Sequence, residues 1–304
     1  STTADWSTDT VIPVLADRRI ATSTPSDGSS VSQGGVDFIY NNLGGTNQGI
    51  FDTAAATFTA SSSVSGTELV NYLRGEKGRE GDPFRKRINW LGDLVNSDPQ
   101  YLAAGRDDGY AFLPAGSLGK SNYQQFLNAK KTRPATVFVG SNDGMLHAFD
   151  ATGSQTAPGT GGTERFAFVP RAVIPNLPLL ASPNYTHRFF VDGTVSIGDA
   201  AIGGDPDSPW RTVLVGGTGA GAKSVYAIDV TNASSFTSDK VLWERTADGD
   251  ADLGYTIGVP QIGRLRDGRW VSVFGNGFAS ASGIATLYVV NLSTGDLISK
   301  ISTS

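Results

Sequence analysis

The chain has no cysteine, so disulfides, thiol catalysis and thiolate metal sites are all excluded. It has one methionine, Met145, and only two histidines, His147 and His187. With no H-x-x-x-H pair and no G-x-S-x-G elbow, zinc-hydrolase and serine-hydrolase readings have no motif to stand on. No apolar run approaches the roughly 18 residues expected of a membrane-spanning helix. Charged residues make up 17% of the chain and the net charge is −5. The longest basic run, Arg85-Lys86-Arg87, is too short to replace the counterions along a nucleic-acid groove, so nucleic acid is not an expected partner. The chain opens at Ser1 without an apolar targeting segment and reads as an excised or processed piece.

What the chain does have is glycine: 38 residues, roughly twice the usual usage of about 7%, which implies many tight turns. The densest run is TVLVGGTGAGAKSVYAIDV at 212–230. Gly217, Gly219 and Ala222 imitate a dinucleotide fingerprint, and Lys223-Ser224 imitates a P-loop except that Ala222 stands where that loop needs glycine. Both motifs need a following helix whose N-terminal amides face the phosphate. The next segment, SVYAIDV, is β-branched, aromatic and aliphatic, so the expectation is a β-hairpin that binds no nucleotide.

Residues 1–87 read as a loop-rich segment, high in Ser, Thr, Gly and Asn, with strand-like islands at 11–15 and 36–40. One helix is predicted near 66–75: Ser65 and Glu68 have capping-box spacing, Leu69, Tyr72 and Leu73 share a face, and Gly75 supplies a stop. Arg74-Gly75-Glu76 imitates an integrin-type tripeptide with Glu in place of Asp, and reads better as a helix end.

From residue 88 the sequence repeats one plan. In 133–153, 210–232 and 269–295, an apolar strand ends at Gly140, Gly216 or Gly275. A Gly/Asn/Ser loop comes next, and a second strand ends at Asp150, Asp229 or Asn291. Leading segments at 91–102, 188–202 and 254–265 and trailing ones at 165–170, 240–246 and 297–302 make four strands per unit, as in a propeller blade. The fold class is therefore mainly β: part of a β-propeller with about three four-stranded blades, at 91–170, 188–246 and 254–302, plus one short helix. The long loops at 113–132 and 152–164 are functional-site candidates. Asn142-Asp143-Gly144 reads as a hairpin turn, Asp150 and Asp229 as side-chain turn caps, His147 as a satisfied strand residue, and Trp210 and Trp270 as blade packing.

Several phrases in order, VNYLRGEKGREGDPFRKR, LGDLVNSDP, RPATVFVGSNDGMLHAFDATG, SPNYTHRFFVDGT, WRTVLVGGTGAGAKSVYAIDV and DADLGYTIGVPQIGRLRDGRWVSVFGNG among them, carry a family resemblance from about residue 67 to 298. The chain resembles the C-terminal β-propeller domain of type IV pilus biogenesis and tip-adhesin proteins of the PilY/PilC type. The resemblance implies an exported bacterial protein of the cell surface or pilus tip, passing through periplasm or outer membrane. It would work with minor pilins in pilus assembly, counteract retraction, support twitching motility and attach cells to host or abiotic surfaces, without catalysis. Calcium regulates some members through an Asp-rich loop, which by the resemblance lies beyond Ser304 and maps to no residue here.

Asp248, Asp250 and Asp252 have the 1-3-5 spacing of calcium ligands, yet Leu253 stands where an EF-hand loop has glycine and Val259 where it has glutamate. The run is either a weak calcium site or an acidic inter-blade turn. The alternative function is a quinoprotein-like propeller oxidoreductase, which would use Gly- and Trp-rich blades to hold a quinone and calcium. Three blades do not close a ring, so further sequence or a partner is expected against the flank of the last blade. Its candidate residues are Ile257, Ile262, Val271, Val273, Leu287 and Val289.

Overall fold

The computed structural model describes residues 13–24, 28–152 and 161–303. Three short strands come first: β1 (Ile20–Ser23), β2 (Val31–Gln33) and β3 (Gly35–Asp37). The repeats then supply twelve more. These are β4 (Gln100–Leu102), β5 (Thr136–Gly140), β6 (Leu146–Asp150), β7 (Glu164–Val169), β8 (Ser196–Ala201), β9 (Trp210–Gly217), β10 (Ser224–Asp229), β11 (Val241–Thr246), β12 (Gln261–Arg264), β13 (Trp270–Gly275), β14 (Thr286–Asn291) and β15 (Leu297–Ser302). Each repeat folds as one antiparallel sheet in chain order, so the blade expectation holds for all three.

The ends of the second strands are built alike. The side chains of Asp150, Asp229 and Asn291 accept from the amides of Thr152, Thr231 and Ser293 at 2.7, 2.9 and 2.8 Å, which closes the turn that sends each chain to its fourth strand.

The N-terminal strands join the first two sheets. β1 runs parallel to β7, with β3 antiparallel outside it, and β2 pairs antiparallel with β11. Gly34, at φ +76°, turns the chain from one sheet into the other. The first sheet therefore has six strands and the second five, while the third keeps four and leaves β15 as a bare edge. Of the two strand-like islands, 36–40 contributes the end of β3 and then a 3-10 turn. Val11 and Ile12 lie outside the described residues, and Leu15–Asp17 is also a 3-10 turn.

The expected helix is α2 (Gly66–Leu73), and its capping box forms: Ser65 Oγ accepts from the Glu68 amide at 3.2 Å and the Glu68 carboxylate accepts from the Ser65 amide at 2.9 Å. Gly75, at φ +117°, ends it, so the Arg-Gly-Glu tripeptide is a helix stop. There are two further α-helices: α1 (Gly44–Ala55) packs beside it, and α3 (Tyr123–Lys130) lies in a different core, against the second sheet. Three glycines in GGTNQGIFDTAA hid α1, because glycine is a poor helix former and packing against α2 decides the outcome.

Apolar side chains fill the spaces between neighbouring sheets. Phe138, Phe166 and Phe168 of the first meet Leu214, Tyr226 and Ile228 of the second. Val213, Val215 and Trp243 of the second meet Phe274, Tyr288 and Val290 of the third. The 113–132 loop, a functional-site candidate from its length, is a brace instead. Its α3 carries Tyr123 and Phe126 onto Trp210, whose indole N–H donates to the Gly119 carbonyl at 2.7 Å. Lys130 is buried against Asp199 of β8, and Tyr123 and Thr212 hydroxyls donate to the same carboxylate at 3.1 and 2.8 Å. Most of the other long loop, 153–160, lies outside the described residues.

Beyond the third sheet, the face opposite the core is apolar and open. Leu287 and its cross-strand partner Ile301 are 40% and 57% exposed, and Ile257 is 56% exposed. Of the residues expected on that flank, Val271 shares the face but is covered, and Ile262 packs inward near Gly198 of β8. Phe274→Ala, on the buried face, should cost about 3–5 kcal/mol in urea unfolding. Ile301→Ala should stay within about 0.5 kcal/mol while lowering the binding of a hydrophobic dye. Equal losses at the two positions would mean that the faces are misassigned.

Candidate functional site

The glycine-rich hairpin at 217–224 is used for close packing. A Cβ on Gly221 would lie 1.9 Å from the Phe190 carbonyl oxygen, and one on Gly219, at φ +58°, 2.9 Å from Asp192 backbone. The glycines thus let the loop 190–193 run directly under the hairpin. β10 begins at Ser224, so no helix comes after it. Lys223 donates to the Ala279 carbonyl at 2.5 Å, and the Ser224 hydroxyl donates to the buried Glu244 at 2.7 Å. Both groups a phosphate would need are engaged within the fold.

The three aspartates do not share a centre. Asp250 is buried, where it accepts from Arg245 at 3.1 Å, Tyr288 OH at 2.9 Å and Lys300 at 2.6 Å. Asp252 meets the same ammonium at 2.8 Å, and Lys300 holds its carboxyl below the usual range. Burial opposes the charge on Lys300, but hydrogen bonds to the two carboxylates outweigh it and raise its pKa. Asp248, largely exposed, accepts from the Thr246 hydroxyl at 2.9 Å and faces Arg171 at 3.6 Å. A calcium ion needs six to eight oxygen ligands, and these carboxylates are already matched by cations, so the residues present do not fit the ion. Among the described residues, no three His, Asp or Glu side chains converge as a metal site.

The densest polar arrangement went unseen as a unit in the sequence. Arg18, ahead of β1, grips Glu164 of β7 through two hydrogen bonds of 2.7 and 2.8 Å. Glu164 meets His147 Nδ1 at 2.7 Å, and His147 Nε2 lies 3.1 Å from both oxygens of Asp143 in the β5–β6 turn. Asp143 also accepts from the amides of Gly92 and Met145, at 3.1 and 3.2 Å. A further Arg18 nitrogen donates to the Arg74 carbonyl at the end of α2, at 2.5 Å. Burial alone would discharge His147, but the Asp143 and Glu164 carboxylates reverse that and push it up to about 9. Burial likewise opposes the Glu164 charge, and Arg18 and His147 overcome it and hold Glu164 at about 2. The chain of groups alternates positive and negative and sums to zero. His147 and Asp143 were each legible alone, as strand residue and turn residue. Their partners Arg18 and Glu164 lie too far away in sequence to be seen.

Against this chain lies a cavity of about 280 Å³, walled by α2, the strap 85–93, the β5–β6 turn and Tyr185. Arg87 crosses it, 4.0 Å over the Tyr72 ring and 5.5 Å from Trp90. Its nitrogens bond to Glu80 and to the carbonyls of Tyr72 and Glu76, at 2.6–2.8 Å.

Successive four-stranded sheets with cores between them, stitched by N-terminal strands, define the protein class as a partial β-propeller. The comparisons agree. The family model described as the PilY1 beta-propeller domain matches residues 91–304, and the chain belongs to that family. A type IV pilus biogenesis factor PilY1 homolog of Xylella fastidiosa is 44% identical over 273 residues, 86% of this chain and 17% of that protein. Type IV pilus biogenesis factor PilY1 of Pseudomonas aeruginosa strain PAK is 39% identical over 242 residues, 78% of this chain and 19% of that protein. The chain thus spans under a fifth of the length of these curated relatives. The crystal structure of the Pseudomonas aeruginosa PilY1 C-terminal domain matches with a TM-score of 0.51 and 34% identity, over 67% of this chain and 37% of that one.

The buried chain makes stability depend on pH in two directions. His147 is raised above its ordinary 6.5, so its contribution is complete below pH 6.5 and disappears as pH climbs through about 9. Glu164 is depressed, so its contribution is complete above about pH 4.5 and disappears as pH falls toward about 2. Urea midpoints should drop between pH 6.5 and 9.5 by the equivalent of at most about 3 kcal/mol. His147→Gln should flatten that limb, and an unchanged alkaline slope in the variant would assign it to other groups. Calcium is the second test. Up to about 1 mM, it should move the melting temperature by less than about 1 °C. A larger rise that Asp250→Asn abolishes would restore the calcium reading.

Proposed function

We propose that this chain is the propeller portion of a type IV pilus assembly factor and tip adhesin that acts by binding. The observation that carries the reading is the 39–44% identity, across 78–86% of this chain, to proteins named type IV pilus biogenesis factors. The geometry supports a binding role, because the groups that most resemble chemistry hold the fold. Arg18, Glu164, His147 and Asp143 neutralise one another, Lys223 and Ser224 are spent on backbone and Glu244, and the aspartate trio is paired with cations. The tryptophans that suggested a quinone-stacking enzyme pack between sheets, with the Trp210 and Trp243 indole N–H groups on main-chain carbonyls at 2.7 and 2.8 Å. In this reading the protein is exported to the pilus tip, its partners are minor pilins and a host or abiotic surface, and it supports attachment and twitching.

Disrupting the propeller in the full-length protein tests the proposal. Gly221→Val would drive side-chain atoms into the Phe190 backbone. Expressed in the source bacterium, this variant should reduce surface pili and co-purification with minor pilins while total cellular pilin stays constant. Normal piliation and twitching, despite a propeller shown to be unfolded by proteolysis, would contradict it.

A further inference from the structure

The cavity beside the buried chain has an imbalance that the fold does not resolve. Asn142 lines it, is 3% exposed, and its Nδ2 has no partner. The orientation of that amide is fixed, since its Oδ1 accepts from the Phe190 amide at 2.9 Å and the flipped form would set donor against donor. A buried donor left unmade costs on the order of 1–3 kcal/mol. An acceptor delivered into the cavity would remove that cost.

A second donor stands on the same wall. Arg85 spends its Nε on the Leu180 carbonyl at 3.1 Å and lays its guanidinium 4.6 Å over the Tyr185 ring. Its side chain is only half-buried and also hydrogen-bonds the Tyr72 hydroxyl, which leaves further N–H groups of the guanidinium to serve a ligand, unlike those of Arg87, which are taken up by Glu80 and two carbonyls. Two carboxylates line the cavity: Asp143 is saturated by His147 and by the Gly92 and Met145 amides, and Asp93 pairs with His187 at 2.7 Å, so neither is bonded to Arg85. The apolar part of the wall comes from Tyr72, Trp90 and Leu180, and Lys86 and Arg87 add positive charge to it. At about 280 Å³ the space is close to the lower end of the roughly 300–1,000 Å³ typical of ligand pockets.

We propose that this cavity binds a carboxylate carried on a compact aromatic or apolar stem, with Asn142 Nδ2 and the Arg85 guanidinium as its hydrogen-bond donors. A guanidinium presents paired N–H groups that match the two oxygens of a carboxylate, and the rings cover the stem. The carboxylate is that of a free small acid or of a peptide C-terminus, which share this chemistry. The site is independent of the pilus reading, because it rests only on the unpaired donors and the shape of the wall.

Calorimetry and NMR titration of the full chain test it, with N-acetyl-phenylalanine, its primary amide, and an acetylated tetrapeptide ending in phenylalanine with a free C-terminus. The acid should bind saturably, and the amide at least tenfold more weakly. Asn142→Asp keeps the acceptor for Phe190 and replaces the free donor with a repelling oxygen, so it should abolish binding; the buried charge should also lower the melting temperature, so the titration is run well below it on protein shown to be folded. Arg85→Gln should weaken the acid about tenfold and the amide little. Tighter binding of the tetrapeptide than of N-acetyl-phenylalanine identifies a peptide terminus as the source; weaker binding identifies a small acid. The proposal is overturned if neither acid saturates below 10 mM, or if acid and amide bind alike. It is also overturned if folded Asn142→Asp binds as the parent does.

Discussion

The structure depends on one buried charge chain, Arg18–Glu164–His147–Asp143. It joins the approach to β1, strand β7, the β5–β6 turn and, through Arg74 and Gly92, the end of α2 and the strap after it. An isolated buried charge costs several kcal/mol, so none of these segments can leave without stranding a partner. Alternating signs make the group tolerable as a set. The same logic recurs at Asp199, where Lys130, Tyr123 and Thr212 tie the brace to β8. It recurs again at Asp250, where Arg245, Tyr288 and Lys300 tie the second sheet to the third. Each carboxylate lies where two chain segments meet, and each is matched there.

Between these clamps the sheets approach through glycine. The hairpin at 217–224 admits the 190–193 backbone because no Cβ intervenes, and Gly193 similarly faces the Gly217 carbonyl at a virtual 2.3 Å. Close backbone approach and phosphate binding both select glycine, which is why the same letters suggest either. The element after the glycines separates the two uses: a strand in this chain, a helix in a nucleotide site.

Blade architecture was legible because it rests on period-2 alternation and on turn residues that repeat, and those signals are local. The capping box of α2 was legible for the same reason. α1 and α3 were not, since one is interrupted by glycine and the other gains its stability from Trp210 and Asp199, far along the chain. β1, β2 and β3 are three or four residues each, and β1 and β2 draw their partners from β7 and β11, more than a hundred residues away. The aspartate spacing at 248–252 was visible while its meaning was not, because Lys300 arrives from the last strand. The cavity could not be read at all, since an unpaired donor becomes visible only once every other partner is placed.

A double-mutant cycle at Arg18 and Glu164 tests the central claim most directly. Arg18→Met, Glu164→Gln and the double variant should each be unfolded in urea at pH 6, where His147 is charged. If the charge chain welds the N-terminal strands to the sheets, each single change should be strongly destabilising and the pair should show a coupling of about 2 kcal/mol or more. A coupling below about 0.5 kcal/mol, with additive single effects, would mean that the segments are held by packing alone.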